Sequence, residues 1–343
     1  MRNHVLAAQP VDFRKDMGGL ATLLQQALRA GARLQPAFPT DRPSRAKPTS
    51  AVTRPMPLML TALAMIGVVL LLLWAALVLA LSSQQERLIF PGWGFGLVAA
   101  SGLGPGAERL ALDTPDGVRL VGGLHRATRP SRGLLLVFGG NAEDTDWRLR
   151  DLAAFVDDLD LAGFFYRGYG PSGGTPGQDA LAADAALIHD RLVARLRPPR
   201  VLAAGFSLGA GVTAELARAR RLDGAVLVTP FDSVEALAAA SYPFVPVRRL
   251  LRHPFRADRA LAGLPLPVAV IGAGRDAVVP RASTERLVAV LARPALVAWV
   301  EGADHVSLYG RPEYRRGFAA ALGALIEAAP TEASSGTPQP QAD

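Results

Sequence analysis

Cysteine is absent from the whole 343-residue chain. That excludes disulfides, thiol nucleophiles and cysteine-ligated metal sites, and says little about compartment. No metal-ligand spacing, phosphate-cradling loop or internal repeat appears, and Gly168-x-Gly170 lacks the rest of a dinucleotide fingerprint. No metal and no cofactor are expected. An excess of charge is also missing from most of the chain. The net charge is +7, but residues 1–55 hold nine Lys/Arg against three Asp and account for six of it. A near-neutral remainder lacks the electrostatic footprint of a nucleic-acid binder, so no nucleic-acid partner is expected.

Charge is missing most completely from Leu58 to Leu81, where the one polar side chain is Thr61. As a helix this run is about 36 Å long, enough to cross a hydrocarbon core of about 30 Å. A secretory signal is the rival reading, and its cleavage would leave the same domain secreted. The run is longer than an ordinary signal core, begins far from Met1 and offers only Ala80-Leu81-Ser82 as a cleavage candidate. An uncleaved single-pass anchor is therefore expected. Basic residues precede the run, and Arg87 is the only one in the twenty residues after it. This predicts a cytoplasmic N-terminus and a main domain on the outer, extracytoplasmic side. In the basic tail, Leu20, Leu23, Leu24, Ala27 and Leu28 fall at helical spacing. The preferred reading there is a short frayed helix in a disordered tail; a membrane-surface helix is the other.

What is present is a regular alternation. Apolar runs at Leu134–Phe138, Leu161–Tyr166, Val201–Gly205, Gly224–Thr229, Val268–Ile271 and Leu296–Val300 are separated by helical patterns at about 147–157, 179–196, 208–221, 281–292 and 312–328. Continuous apolar strands separated by helices predict an α/β fold with a mostly parallel twisted sheet covered on both faces. Ahead of them, Glu108–Leu112 and Val118–His125 are joined by Pro115-Asp116-Gly117, a hairpin turn. The expected layout is a basic tail over 1–55, a transmembrane helix over 56–82, the α/β domain over 83–329 and a disordered end over 330–343. A small helical cap is expected at about 231–264, where the chain is rich in Ala, Pro and Arg. Its aromatic residues either meet a substrate or pack on the sheet.

The chain is organised around Val201 to Gly211. There an apolar strand feeds Gly205-Phe206-Ser207-Leu208-Gly209, and an alanine-rich helical pattern follows. A serine between strand and helix in Gly-x-Ser-x-Gly fits a nucleophile elbow, whose tight turn tolerates only glycine at Gly205 and Gly209. In a parallel sheet, reactive groups belong on loops past the C-terminal ends of strands. Asp276 and His305 occupy two further ends of that kind. A neutral hydroxyl needs a base, here His305, and the base needs a carboxylate to fix its tautomer, here Asp276. Asp232, past the preceding strand, is the weaker candidate acid and reads as a helix N-cap or cap-side residue. Asp304 is expected to face solvent. His4, His125, His189 and His253 read as surface or packing residues, and Arg167 as a brace for its Gly-rich loop.

From about Gln85 to Ala328 the chain resembles an α/β-hydrolase, specifically the membrane-anchored serine hydrolases of the abhydrolase-domain or serine-aminopeptidase-like group. The resemblance rests on Phe165 to Gly174, the elbow, Thr229 to Ser233, Gly272 to Pro280, and Gly302 to His305. It implies an esterase, lipase, thioesterase or peptidase acting on a small-molecule or lipid-like acyl substrate. It also implies an oxyanion hole built from the backbone N–H groups of Leu208 and Asn141. Relatives usually read His-Gly-Asn-Ala at that second loop, and this chain has Gly139 in place of the histidine. What anchors the loop is therefore a question for the structure. A catalytically idle scaffold that binds a lipid or protein partner is the alternative reading.

Overall fold

The computed structural model describes residues 56–328 except 95 and 97. The expected tail helix at Leu20–Leu28, His4, the basic tail and the end 330–343 lie outside the described residues. The chain divides into two compact units after Leu73, inside helix α1 (Met56–Ser83). The described part of the first unit is α1 up to Leu73, whose side chains from Leu58 onward are exposed. Among the described residues, α1 is the one helix long and apolar enough to cross a membrane.

The second unit begins at Trp74 and so takes in the last turns of α1. Two short helices follow, α2 (Gln85–Ile89) and α3 (Pro91–Gly94). Eight strands then form one sheet in the order β1-β2-β4-β3-β5-β6-β7-β8. The first two, β1 (Ala107–Asp113) and β2 (Arg119–His125), make the expected hairpin, with Asp113 opposite Arg119 and Gly117 turning at φ 81°. β2 runs antiparallel to β4 (Asp160–Phe164). All other pairings are parallel: β3 (Leu134–Phe138) with β4 and β5 (Val201–Phe206), then β6 (Gly224–Val228), β7 (Pro267–Ala273) and β8 (Arg293–Val300).

Every residue of β3, β4, β5, β6 and β7 is buried, as a sheet covered on both faces requires. Successive side chains serve opposite cores. Leu134, Leu136 and Phe138 join Leu181, Ala185 and Ile188 of α5 (Gln178–Leu196) and Val212 of α6 (Leu208–Ala219). Leu135, Val137 and Phe206 join Leu149 of α4 (Thr145–Ala153) and Tyr314, Phe318 and Leu325 of α11 (Pro312–Ala328). Each such aliphatic side chain contributes about 1.5–3 kcal/mol of burial, which makes the register hard to slip. The cap comprises α7 (Val234–Ser241), α8 (Val247–Leu250) and α9 (Ala257–Leu261), and α10 (Arg281–Val288) links β7 to β8.

This topology prepares a crevice. From β3 the chain passes through α4 on one face to β4, then through α5 on the other face to β5. The loops leaving neighbouring β3 and β5 therefore lead to helices on opposite faces. At such a switch point the strand ends stand open, and ligands bind there in open α/β sheets.

Candidate active site

Ser207 stands at that point, between the end of β5 and the start of α6. Its backbone is at φ 50° and ψ −110°, a region that costs of order 1–3 kcal/mol for a residue bearing a Cβ. The neighbouring glycines make the turn possible. A Cβ on Gly205 would press into the Gly209 carbonyl oxygen and Thr213 Oγ1, and one on Gly209 into the carbonyl oxygens of Phe138 and Gly139. The Ser207 N–H donates to Val228 O at 2.9 Å, which ties the elbow to β6. The side chain is left partly exposed.

Asp276 and His305 arrive from the ends of β7 and β8, as their sequence positions suggest. His305 Nε2 lies 3.0 Å from Ser207 Oγ, and His305 Nδ1 lies 2.7 Å from Asp276 Oδ2. The tautomer that satisfies both contacts donates Nδ1–H to the carboxylate and leaves Nε2 free to accept from the hydroxyl. Asp276 is itself fixed, because its Oδ1 accepts from the N–H groups of Val278 (2.9 Å) and Val279 (2.7 Å). Its side chain is 2% exposed. The base loop is closed by Asp304, which is exposed as expected. Its Oδ1 accepts from Val306 N and Ser307 N, and its own N–H donates to Ser307 Oγ. Those backbone donors hold the Asp304 carboxyl below the usual carboxylate range.

The loop after β3 lies directly against the elbow. A Cβ on Gly140 would come 3.8 Å from Ser207 Cβ. Among the described residues, no protein acceptor engages the N–H of Leu208 or of Asn141. With no histidine at Gly139, the loop is held in four other ways. Tyr166 Oη donates to Gly139 O (2.8 Å), Asn141 Nδ2 donates to Ile89 O (2.6 Å), and Tyr169 Oη donates to Asn141 Oδ1 (2.7 Å). The Gly140 N–H donates to the carboxylate of Glu143.

Glu143 in turn meets Arg148, whose Nε donates to Oε1 at 2.6 Å. Arg148 is wholly buried, with its guanidinium 4.1 Å from the ring centres of both Phe206 and Tyr309. Phe206 precedes the elbow serine, and Tyr309 lies in the 3-10 turn Ser307–Gly310 behind His305. One cation thus underpins all three loops. Its Nη2 also touches Glu143 as an ion pair but makes no aligned hydrogen bond. Burial opposes the charge on Arg148, yet its pKa is raised because Glu143, Tyr314, Tyr309 and Asp151 together outweigh that penalty. Burial likewise pushes the Tyr309 phenol up to about 12, despite the opposing guanidinium. Glu143 and Arg148 carry no sequence signal of this role; Arg148 looks like any cation in a helical pattern.

The other candidates are occupied elsewhere. Asp232 accepts from Ser283 Oγ (2.6 Å) and from Arg286 Nε (2.6 Å). It is not the N-cap that its position suggests. Ser233 caps α7, its hydroxyl accepting from Ala236 N, because the helix begins one residue later. His253 accepts from Gln178 N through Nδ1, His189 meets Asp190, and His125 is half-buried at the end of β2. A cavity of about 140 Å³ beside His125 includes none of Ser207, Asp276 and His305. Arg167 is the expected brace, paired with Asp184 and Asp116. Of the cap aromatics, Phe255 packs inward against Phe90 and Phe244 points outward. Among the described residues, no cluster of His, Asp and Glu is placed to hold a metal ion.

No family model matches the chain. An uncharacterized protein of Mycobacterium tuberculosis is 38% identical over 229 residues, which span 65% of this chain and 81% of that protein. The alpha/beta hydrolase domain-containing protein WAV2 of Arabidopsis thaliana is 28% identical over 193 residues, 50% of this chain and 63% of its own. The chain has the α/β-hydrolase fold, shared with an esterase of Pyrococcus furiosus that is 19% identical, with a TM-score of 0.53 over 68% of this chain and 98% of that one. A further relative, the lysophosphatidylserine lipase ABHD12 of Danio rerio, is 30% identical over 138 residues. That match spans 34% of this chain and 35% of the lipase.

Proposed function

We propose that this α/β-hydrolase is a membrane-anchored serine hydrolase that cleaves ester or thioester bonds, and by the same chemistry amides, through an acyl-enzyme on Ser207. The observation that carries the reading is the unbroken chain from Asp276 through His305 to Ser207, ending on a strained elbow. In the first half-reaction His305 Nε2 takes the Ser207 proton as Oγ attacks the acyl carbonyl carbon. The tetrahedral oxyanion accepts from the N–H groups of Leu208 and Asn141, donors that come from two loops facing the same crevice. Asp276 stabilises the imidazolium. His305 then returns the proton to the departing alcohol, thiol or amine, leaving Ser207 acylated. In the second half-reaction His305 deprotonates a water, which attacks the acyl carbon and releases the acid with Ser207 restored.

The idle-scaffold alternative draws on Gly139. The anchors supplied by Tyr166, Asn141, Tyr169 and Glu143 support the catalytic reading instead. The membrane part of the proposal draws on α1, with the basic tail cytoplasmic and the domain from about residue 83 outside. Such tethering favours acyl substrates presented at a lipid face, and ABHD12 is a relative whose name gives a lysophospholipid substrate.

A fluorophosphonate probe tests the chemistry. Wild type is expected to label and Ser207→Ala not to; equal labelling of both, or none on folded wild type, overturns it. Fractionation with an N-terminal tag tests the anchor: the tag is expected on the membrane-bound protein, and its loss from the mature protein means cleavage.

A further inference from the structure

The cap is fastened to the end of α1 rather than only to the sheet. Trp74 Nε1 donates to Phe244 O at 2.9 Å, Gln85 Nε2 donates to Leu250 O at 3.3 Å, and Arg252 N donates to Gln85 Oε1 at 2.8 Å. Arg252 also donates to Ser82 O and pairs with Glu86. Trp74 and Ser82 lie eight residues apart, so α1 is bound along about two turns, and Gln85 at the start of α2 continues the contact. Pinned beside Trp74 is the turn Tyr242–Pro246, which joins α7 to α8. Its Phe244 side chain is 84% exposed, the highest value among the large hydrophobics described. On the same stretch of α1, Leu77 and Leu79 are 55% and 70% exposed.

Next to this apolar tip stand cations. The Arg248 side chain is 82% exposed and lies 3.6 Å from Glu235, a carboxylate shared with Arg256. Arg249 is exposed and forms no ion pair with a described residue. Glu86 is taken by Arg252. An exposed aromatic flanked by exposed arginines matches the boundary between acyl chains and acidic headgroups. A second copy fits less well, because a two-fold contact through Phe244 would bring both sets of arginines together.

We propose that the cap turn Tyr242–Pro246 is a membrane-docking element. Phe244 enters the acyl boundary of the bilayer, and Arg248 and Arg249 meet acidic lipid headgroups. The proposal rests on the membrane anchoring read above, since Trp74 lies within the apolar run that would span the bilayer. The enzyme is then held to the lipid face at two points, the anchor and its own cap.

The absence of cysteine makes Phe244→Cys a unique labelling site in the full chain. The variant carries an environment-sensitive fluorophore and sits in vesicles of phosphatidylcholine and phosphatidylglycerol, with or without spin-labelled acyl chains. Arg316→Cys on α11, which covers the opposite face of the sheet from α6, is the reference. Fluorophosphonate labelling equal to wild type checks that both variants fold. Expected is blue-shifted emission at position 244 with lipid quenching severalfold above the reference, weakened in pure phosphatidylcholine and by Arg248→Gln with Arg249→Gln. Water-like emission on protein that resists carbonate extraction overturns the docking proposal and leaves the anchor standing. A blue shift without lipid quenching means a protein contact, such as a second copy, and also overturns it. Extraction by carbonate overturns docking and anchoring together.

Discussion

The elbow and the loop facing it reach the same crevice by different means. The Ser207 turn is written almost entirely in five neighbouring residues: two glycines leave room for carbonyl oxygens, and the strand and helix on either side do the rest. The Gly139–Glu143 loop has no such self-sufficiency. Its position depends on Tyr166, Tyr169, Ile89 and Arg148, which arrive from other elements. A site can thus have one half specified locally and the other half specified by tertiary contacts, and substitutions separate the two.

The largest effects are expected in the locally specified half. Ser207→Ala removes the nucleophile, and hydrolysis is expected to fall by about 10⁴-fold or more. Its urea midpoint should not fall, because the elbow keeps its shape. Gly209→Ala keeps every reactive group and instead drives a Cβ into two backbone carbonyls. It is expected to cost about 3 kcal/mol of stability, read by urea unfolding, and to abolish fluorophosphonate labelling at moderate temperature. Normal labelling by Gly209→Ala would mean that the turn is not held as tightly as its contacts imply.

The tertiary half should respond differently. Arg148→Met leaves Glu143 without its cation, a loss of about 3–5 kcal/mol for a buried pair broken on one side. Turnover should fall by about 10²-fold as well, the scale of one displaced oxyanion donor, with KM changed far less. Glu143→Gln keeps an acceptor for the Gly140 N–H and should retain most activity, which separates positioning from charge. Tyr166→Phe deletes a single bond to Gly139 O and is expected to cost about 1 kcal/mol.

The same division explains how much could be read from the sequence. β3 and α11 begin and end where the apolar and helical patterns place them, since complete burial of the one and an amphipathic face on the other leave few alternatives. The convergence of Ser207, Asp276 and His305 follows from strand ends sharing one rim. Arg148 was illegible for a physical reason. A cation in a helix is normally solvated, and only the folded chain reveals that Glu143, Phe206 and Tyr309 surround it. Of the two readings of Asp232, helix N-cap or cap-side residue, the first fails for a similar reason: Arg286 and Ser283 of α10 hold its carboxylate, and Ser233 caps α7.

The smallest effect sharpens the contrast between two aspartates past neighbouring strands. Asp276→Asn loses the acceptor that orients His305 and should cost about 10⁴-fold in turnover. Asp232→Asn should leave turnover unchanged. Burial alone would raise the Asp232 carboxyl, but Arg286, Ser283 and a backbone N–H outweigh it and hold the pKa below the usual value. A carboxyl whose folded pKa is depressed stabilises the fold above its unfolded pKa, near 4, and loses that contribution as pH falls through the folded value. Wild type should therefore lose urea stability more steeply than Asp232→Asn below about pH 4, the two curves converging in acid. A turnover loss in Asp232→Asn comparable to that of Asp276→Asn would assign the acid of the site to the wrong strand.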